Sequence, residues 1–147
     1  MNYPTRIDDE APIVVRKQQD IDAPLARVWA LHTDPASYPR WQTSIVESTM
    51  EGAFAPGGSF TWTSYGFTVT SEIYSVENQK RTLWGGTGDG ITGIHEWSFR
   101  AHGSGTRVTT AESWSGPAVE SARDEMDAAL DASLDAWLSK LKAAAEA

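Results

Sequence analysis

The spacing of apolar residues changes once along the chain, near residue 115, and this change restricts the possible folds more than any other feature. Between residues 43 and 114, apolar and polar side chains alternate in short runs separated by turns, which predicts successive β-strands. From residue 116 to 147 the apolar residues recur at helical spacing, and Pro117 suits a first helical turn. The sequence therefore predicts an antiparallel sheet followed by one long amphipathic helix.

The residues before this run predict one more strand and two short helices. Residues 13–21 alternate as a strand, and residues 22–34 have the spacing of a helix that Asp22 can cap. Two prolines then interrupt the helix and leave room for a single helical turn. Residues 1–11 predict an irregular N-terminal arm, and residues 12–147 predict a single domain of the α+β class with about seven strands.

A sheet with one apolar face has to be covered, and the long C-terminal helix is the available cover. Its apolar stripe includes Met126 and Leu130, whereas its acidic stripe is expected to face solvent. A strongly curved sheet and a straight helix do not meet along their whole length. We therefore expect a cavity between the sheet and the helix. This expectation comes from the fold alone and does not depend on any motif.

Composition excludes several classes of function. Twelve basic residues against twenty acidic ones give a net charge of −8, which argues against nucleic-acid binding and against anionic membrane surfaces. There is no cysteine, so disulfides and thiolate chemistry are excluded. The polar, acidic N-terminus does not read as a signal peptide, and no apolar run reaches the roughly 18 residues of a membrane span. We expect a cytoplasmic protein without membrane insertion; the oligomeric state is left open.

Two stretches resemble a known family. Residues 20–41, DIDAPLARVWALHTDPASYPRW, contain Ala-Pro, Val-Trp, Asp-Pro and a closing Trp, and resemble the opening of the polyketide cyclase/dehydrase and lipid-transport family. Residues 85–99 and 105–117 resemble that family's paired late strands. The resemblance implies the helix-grip fold of the START and birch-pollen-allergen superfamily. That scaffold hosts carriers, hormone receptors, ring-closing enzymes and co-chaperones, so it does not by itself determine a function.

A histidine on an apolar strand face is the main candidate for chemistry. In GIHEWSF (93–99), His95 lies on the same side as two large aromatic rings. If residues 102–105 form a loop, the opposed pairs are Ala101 with Thr106, Phe99 with Val108, Trp97 with Thr110, and His95 with Glu112. A carboxylate beside an imidazole favours the charged imidazolium, and burial opposes it. The pair is interpreted as a structural contact, a polar anchor for a ligand, or a catalytic acid/base pair.

Aromatic side chains are expected to line the cavity. Trp41 lies near the usual cavity entrance that the family resemblance implies. The other expected lining residues are Trp62, Phe67, Trp97, Phe99 and Trp114 from the sheet, with Met126 and Leu130 from the long helix. No metal site is expected, because the remaining histidines are isolated and no metal-binding spacing occurs. No cofactor is expected either.

Three functions remain open at this point. The first is binding of a hydrophobic, aromatic or polycyclic small molecule in the cavity. The second is a cofactor-independent polyketide cyclase, aromatase or dehydratase that uses His95 and Glu112 as its acid/base pair. The ring-closing relatives place Arg and Tyr in the pocket, whereas Arg100 and Arg107 are expected to face outward here. The third is a protein-interaction module of the co-chaperone type, for which the acidic helix stripe is the one indication.

Overall fold

The computed structural model describes residues 2–147 and shows an antiparallel sheet that faces a long C-terminal helix. The strands are β1 (Ile13–Ile21), β2 (Ile45–Met50), β3 (Ser59–Ser64), β4 (Phe67–Glu77), β5 (Arg81–Gly88), β6 (Ile91–His102) and β7 (Gly105–Ser115). The helices are α1 (Leu25–His32), α2 (Tyr38–Trp41), α3 (Pro117–Ser121) and α4 (Arg123–Glu146), with a 3-10 turn at Pro35–Ser37. The α+β helix-grip fold, with seven strands and short helices after the first, is confirmed.

The seven strands form one curved sheet. Their order is β1-β7-β6-β5-β4-β3-β2, so each strand pairs with its neighbour in sequence except β1, which pairs with β7. The register shifts between Ile45 and Glu47 in β2 and between Ile73 and Ser75 in β4. Such bulges bend a strand and increase its twist, and here they help to give the sheet a concave face.

The core lies between this concave face and the helices. The side chains of α4 that are buried against the sheet are Leu130, Leu134, Trp137, Leu138, Leu141 and Ala145. On the opposite side, Asp131 and Asp135 are exposed, and both pair with Lys17 of β1. This arrangement is that of a solvated acidic face. Arg27 of α1 also donates to the Ala145 carbonyl at the end of α4 (2.6 Å).

No helix within residues 2–147 has the length and apolarity needed to span a bilayer.

Two details of the helices differ from the sequence prediction. The predicted continuous helix over residues 116–147 is wrong, because the backbone leaves the helical region at Ala122 (φ −146°, ψ 47°). The residues on both sides keep helical periodicity, so the pattern conceals the break. The predicted cap by Asp22 is also wrong: α1 begins after Pro24, without a side-chain cap. A residue that precedes proline is biased towards extended backbone, which delays the start of the helix past Ala23.

The N-terminal arm packs on the outer, convex face of the sheet. Ile7 is buried together with Leu83 and Ala111 in a second, smaller apolar cluster. The Asp8 backbone N–H donates to the Ser113 hydroxyl (3.0 Å). The arm therefore covers the part of the outer face that lies behind strands β5 to β7.

Candidate functional site

The hairpin of β6 and β7 has the register that the sequence predicts. His95 is paired with Glu112, Trp97 with Thr110, and the short turn contains Gly103 at φ 59°. The two side chains are in contact, with His95 Nδ1 3.0 Å from Glu112 Oε1. Both point to the concave face, because a strand with period two places alternate residues on one side.

The hydrogen bonds around His95 and Glu112 indicate which of their atoms carry a proton. The Thr110 hydroxyl donates to the Glu96 carbonyl (3.1 Å), so its oxygen accepts from His95 Nε2 (2.7 Å). In the neutral imidazole, Nε2 then carries the hydrogen and Nδ1 is an acceptor. Glu112 must supply the proton between Oε1 and Nδ1. Its other oxygen, Oε2, accepts from the indole N–H of Trp114 (2.7 Å).

Burial favours the same protonation pattern. The His95 side chain is 2% exposed and that of Glu112 15% exposed. Burial raises the pKa of Glu112 to about 7, although the hydrogen bond from Trp114 opposes the shift. Burial also lowers the pKa of His95 well below its usual value. The pair therefore holds one shared proton near neutral pH, which is the range in which a group can both take and return a proton.

A patch without side chains lies next to Glu112. Gly86 of β5 is paired with Gly93 of β6, and both share a face with His95. A Cβ atom on Gly93 would lie 3.3 Å from Trp114 Nε1 and 3.5 Å from Glu112 Oε2. A Cβ atom on Gly86 would lie 3.0 Å from the Thr70 carbonyl oxygen. The bare backbone at Gly86 and Gly93, called here the glycine patch, therefore lets the Trp114 indole and the neighbouring strand pack closely beside the buried carboxyl group.

The two ends of the concave face differ in how completely side chains cover it. At the open end, beside the glycine patch, Trp62, Trp114 and Met126 are half-buried, and Phe67 is 60% exposed. At the closed end, next to α1, His32, Trp97 and Phe99 are buried and in ring contact with one another. The sheet is therefore covered by its own side chains at one end and accessible at the other.

The eight predicted lining residues are divided between these regions. Trp62, Phe67, Trp114 and Met126 lie at the open end. Trp97, Phe99 and Leu130 are buried within the packed core, and Trp41 of α2 is half-buried against Tyr38 and Trp137. The core residues line no open space in this structure, because neighbouring rings already occupy it.

Sequence reasoning assigned no role at the site to three residues near the pair. Trp84 is 5% exposed, and its ring centroid lies 4.8 Å from that of His95. Thr110 orients His95 from the neighbouring strand. His32, considered isolated in the sequence, is buried, and its Nε2 lies 2.7 Å from the Thr82 hydroxyl. One signal was available for His32, since it follows the apolar Val28 by four residues on the same helix face.

The other described regions are weaker candidates for a functional site. Within residues 2–147, no three His, Asp or Glu side chains are grouped in a way that could hold a metal ion. A shallow surface cleft of about 450 Å³ lies between Leu25, Lys80 and Arg100, and a second of about 250 Å³ lies near His102. Neither cleft is lined by His95 or Glu112. The carboxyl–imidazole pair with the adjoining Trp114 is the candidate site because it joins a titratable contact to half-buried aromatic side chains.

Comparison with known proteins agrees with this architecture. No curated protein sequence matches the chain. Among solved structures, a hypothetical protein from Helicobacter pylori has a TM-score of 0.82 at 18% identity, with 99% of both chains covered. The di-domain ARO/CYC protein BexL, from the BE-7585A biosynthetic pathway, has a TM-score of 0.75 at 18% identity, covering 92% of this chain and 50% of its own. Ara h 8.0201 has a TM-score of 0.65 at 12% identity, covering 87% and 96%.

Because the sequence identities are only 12–18%, these structural similarities establish a shared fold and nothing more. The family is established by the sequence itself. Residues 12–146 match the family model described as polyketide cyclase / dehydrase and lipid transport. That match omits residues 1–11 and residue 147. The chain therefore belongs to the polyketide cyclase / dehydrase and lipid transport family.

Proposed function

We propose that this protein binds a planar hydrophobic small molecule at the open end of the concave face. The observation that carries this proposal is the half-buried Trp114 indole, which packs on the bare backbone of Gly93 and donates to Glu112, so that an aromatic face and a polar group lie side by side at the open end. Trp62, Trp114 and Met126 would contact its faces and edges, and burial of apolar area would supply most of the affinity. The family, with its lipid-transport and cyclase members, is in keeping with such a ligand.

Glu112 would be the polar anchor of the site. Its Oε1 lies 3.0 Å from His95 Nδ1, while its Oε2 accepts a hydrogen bond from Trp114 beside the backbone of Gly93. A ligand hydroxyl or carbonyl placed there would meet a carboxyl group that is already held in position by two neighbours. An oriented polar group in an apolar site provides specificity more than affinity.

A bulky side chain in the glycine patch tests the proposal. Fluorene, a planar hydrocarbon with intrinsic fluorescence, serves as the probe. We expect Gly93→Val to weaken fluorene binding about tenfold, because a Cβ there would lie 3.3 Å from Trp114 Nε1 and would displace the indole that contacts the ligand. Gly88→Val is the matched control, since Gly88 lies on the same strand as Gly86 and a Cβ there meets nothing within 4 Å. Equal binding by both variants and the wild type would contradict the proposal.

A second candidate function is acid–base catalysis, and the shared proton at His95 and Glu112 favours it. If the Oε1 proton moves to His95 Nδ1, Glu112 becomes a carboxylate whose Oε2 can remove a proton from a bound substrate. For a β-hydroxyketone, that proton leaves the carbon next to the carbonyl, a carbon–carbon double bond forms, and the carbon–oxygen bond breaks. The proton then returns from Oε2 to the departing hydroxide as water, and the pair regains its starting state.

The test separates turnover from binding. We would incubate the protein with 4-hydroxy-4-phenylbutan-2-one and follow the loss of one water by mass spectrometry. Catalysis predicts turnover that Glu112→Gln and His95→Ala abolish while fluorene binding persists. The rate should be steady just below pH 7 and fall above it, because ionisation of Glu112 removes the shared proton that this mechanism places on His95. Binding without turnover of this or any related hydroxyketone would leave the protein as a carrier.

A further inference from the structure

The segment between β7 and the packed part of α4 is held to the protein much more loosely than the rest of that helix. From residue 117 to residue 129, Val119 is the one buried side chain. From Leu130 onwards, buried side chains recur along α4 as far as Ala145. Residues 117–129, which comprise α3 and the beginning of α4, are called here the α3 segment.

Few bonds join the α3 segment to other parts of the described chain. The Ala118 backbone N–H donates to the Gly90 carbonyl (3.1 Å) in the turn between β5 and β6. The Arg123 guanidinium donates to the Pro12 carbonyl (3.1 Å). The remaining hydrogen bonds of the segment run within the two helices or to the residue before α3. A segment with one buried side chain and few bonds opens at a lower free energy than a packed helix.

A non-helical residue lies at each end of α3. Gly116, directly before it, has φ 116° and ψ 172°, a conformation that favours glycine. Ala122, directly after it, has φ −146° and ψ 47°. Residues at the ends of an element absorb the changes in φ and ψ that a hinge motion requires. Two such positions allow α3 to rotate as a short unit while β7 and the packed part of α4 stay in place.

α3 lies over the end of β6 and β7 that carries the candidate site. It packs against both strands, and it follows Trp114 closely in the chain. The Glu112 side chain is 15% exposed, and neither surface cleft reaches it. A planar molecule of several rings therefore needs an element to move before it can lie against Trp114 and Glu112. α3 is the loosely held element at that position.

We propose that α3 is a lid, hinged at Gly116 and Ala122, which lifts to admit the ligand and closes over it. The inference rests on the proposed function and adds the route of entry to that same site. Val119 holds the closed state, because its side chain is completely buried in the main core. Exposing that side chain to water is the main free-energy cost of opening.

An engineered disulfide tests whether the lid has to move. The chain has no cysteine, so Gly90→Cys combined with Ala118→Cys introduces a single pair of thiols. A Cβ on Gly90 would lie 3.1 Å from the Ala118 Cβ, and a small shift reaches the roughly 3.5–4.5 Å of a disulfide. We expect the oxidised protein to bind fluorene about tenfold more slowly, and to release fluorene loaded before oxidation more slowly as well. Reduction with dithiothreitol should restore both rates.

Gly90→Cys alone is the matched control, because it has the same positive φ at this position and cannot form the bond within one chain. Slow binding together with slow release indicates a lid, since damage to the site would speed release. Rates in the oxidised double variant that equal those of the control overturn the lid while fluorene binding upholds the proposed site. Failure of the wild type to bind fluorene overturns the proposed site itself.

Hydrogen exchange on the wild type tests the motion without any variant. We expect the backbone N–H groups of Ala118 and Met126 to exchange about a hundredfold faster than those of Leu134 and Leu138. Bound fluorene should slow exchange in the first pair and leave the second pair unchanged, because the ligand holds the lid closed. Equal exchange in both pairs, or rapid exchange in the first pair that bound fluorene does not slow, would overturn the lid.

Discussion

The two ends of the concave face each contain a buried histidine that contacts a threonine on a strand. At the closed end, His32 Nε2 lies 2.7 Å from Thr82, and at the open end His95 Nε2 lies 2.7 Å from Thr110. Both imidazoles are almost completely buried, and burial lowers the pKa of each. The difference lies in the second ring nitrogen of His95, which faces a carboxyl group that can share a proton with it.

This difference shows how one residue type can be enclosed by packed rings in one place and lie beside a titratable carboxyl group in another. His32 is enclosed by Trp29, Phe54, Trp97 and Phe99, and its neutral form simply fills space. His95 has rings on two sides but also has Glu112, which reaches partly to solvent and lies beside bare backbone. Accessibility and a titrating partner, more than burial of the imidazole, distinguish the candidate site.

The largest expected effect is a loss of unfolding free energy in acid, caused by His32 at the closed end. Burial lowers the pKa of His32 from 6.5 to about 3, so the stabilising effect of keeping it neutral is complete above pH 6.5 and is lost as the pH falls towards 3. The change corresponds to roughly 5 kcal/mol of unfolding free energy. We expect His32→Gln, whose amide can retain the bond to Thr82, to show a much flatter acid limb in urea unfolding followed by circular dichroism.

A flat acid limb in the wild type, with no difference from His32→Gln, would contradict this account. His95 contributes in the same direction, because burial lowers its pKa as well. The comparison between variant and wild type isolates the part due to His32.

Replacing a tryptophan with alanine should lower the unfolding free energy more at the closed end than at the open end. Trp97 is completely buried between His32, His95 and Trp137, so Trp97→Ala should cost about 3–5 kcal/mol of unfolding free energy. Trp62 is half-buried at the open end, and Trp62→Ala should cost clearly less. Equal losses, measured by denaturant unfolding at pH 7, would mean that the open end is packed as tightly as the closed end.

The open end should have the opposite dependence on pH. Burial raises the pKa of Glu112 from 4.5 to about 7, so its protonated form stabilises the fold fully below pH 4.5, and this contribution is lost as the pH rises through 7. The change corresponds to roughly 3 kcal/mol. We expect Glu112→Gln to remove this opposing contribution, so that stability rises more steeply between pH 4.5 and 7 in the variant than in the wild type, as measured by unfolding at several pH values. The same pH profile in the variant and the wild type would contradict this role of Glu112.

The smallest effect is expected at the rim. Phe67 is 60% exposed, so Phe67→Ser should change the unfolding free energy by less than about 0.5 kcal/mol. Fluorene binding should nevertheless weaken, because Phe67 lies at the open end. A variant with reduced stability and normal binding would place Phe67 in the core and outside the site.

The sequence predicted the architecture and the central pair well, for identifiable physical reasons. Alternation along β6 and β7 and the position of their turn determine the register, which brings His95 to Glu112. Other features have no local signal. The break at Ala122 interrupts a helix whose periodicity continues on both sides, and Trp84 lies on a strand whose glycines obscure the alternation. The filling of the closed end depends on contacts between α1 and β6, which are distant in sequence.

The pairing of β1 with β7 has a consequence for the biosynthesis of the protein. Ile13 pairs with Trp114 and Ile21 with Thr106, so the first strand finds its partner only when most of the chain has been made. The N-terminal arm also has to wait for β7, because Ile7 packs against Ala111 of that strand. Such distant contacts raise the contact order and slow folding. An incomplete chain on the ribosome would carry β1 as an unpaired edge, and this is the stage at which we expect the protein to be most prone to aggregation.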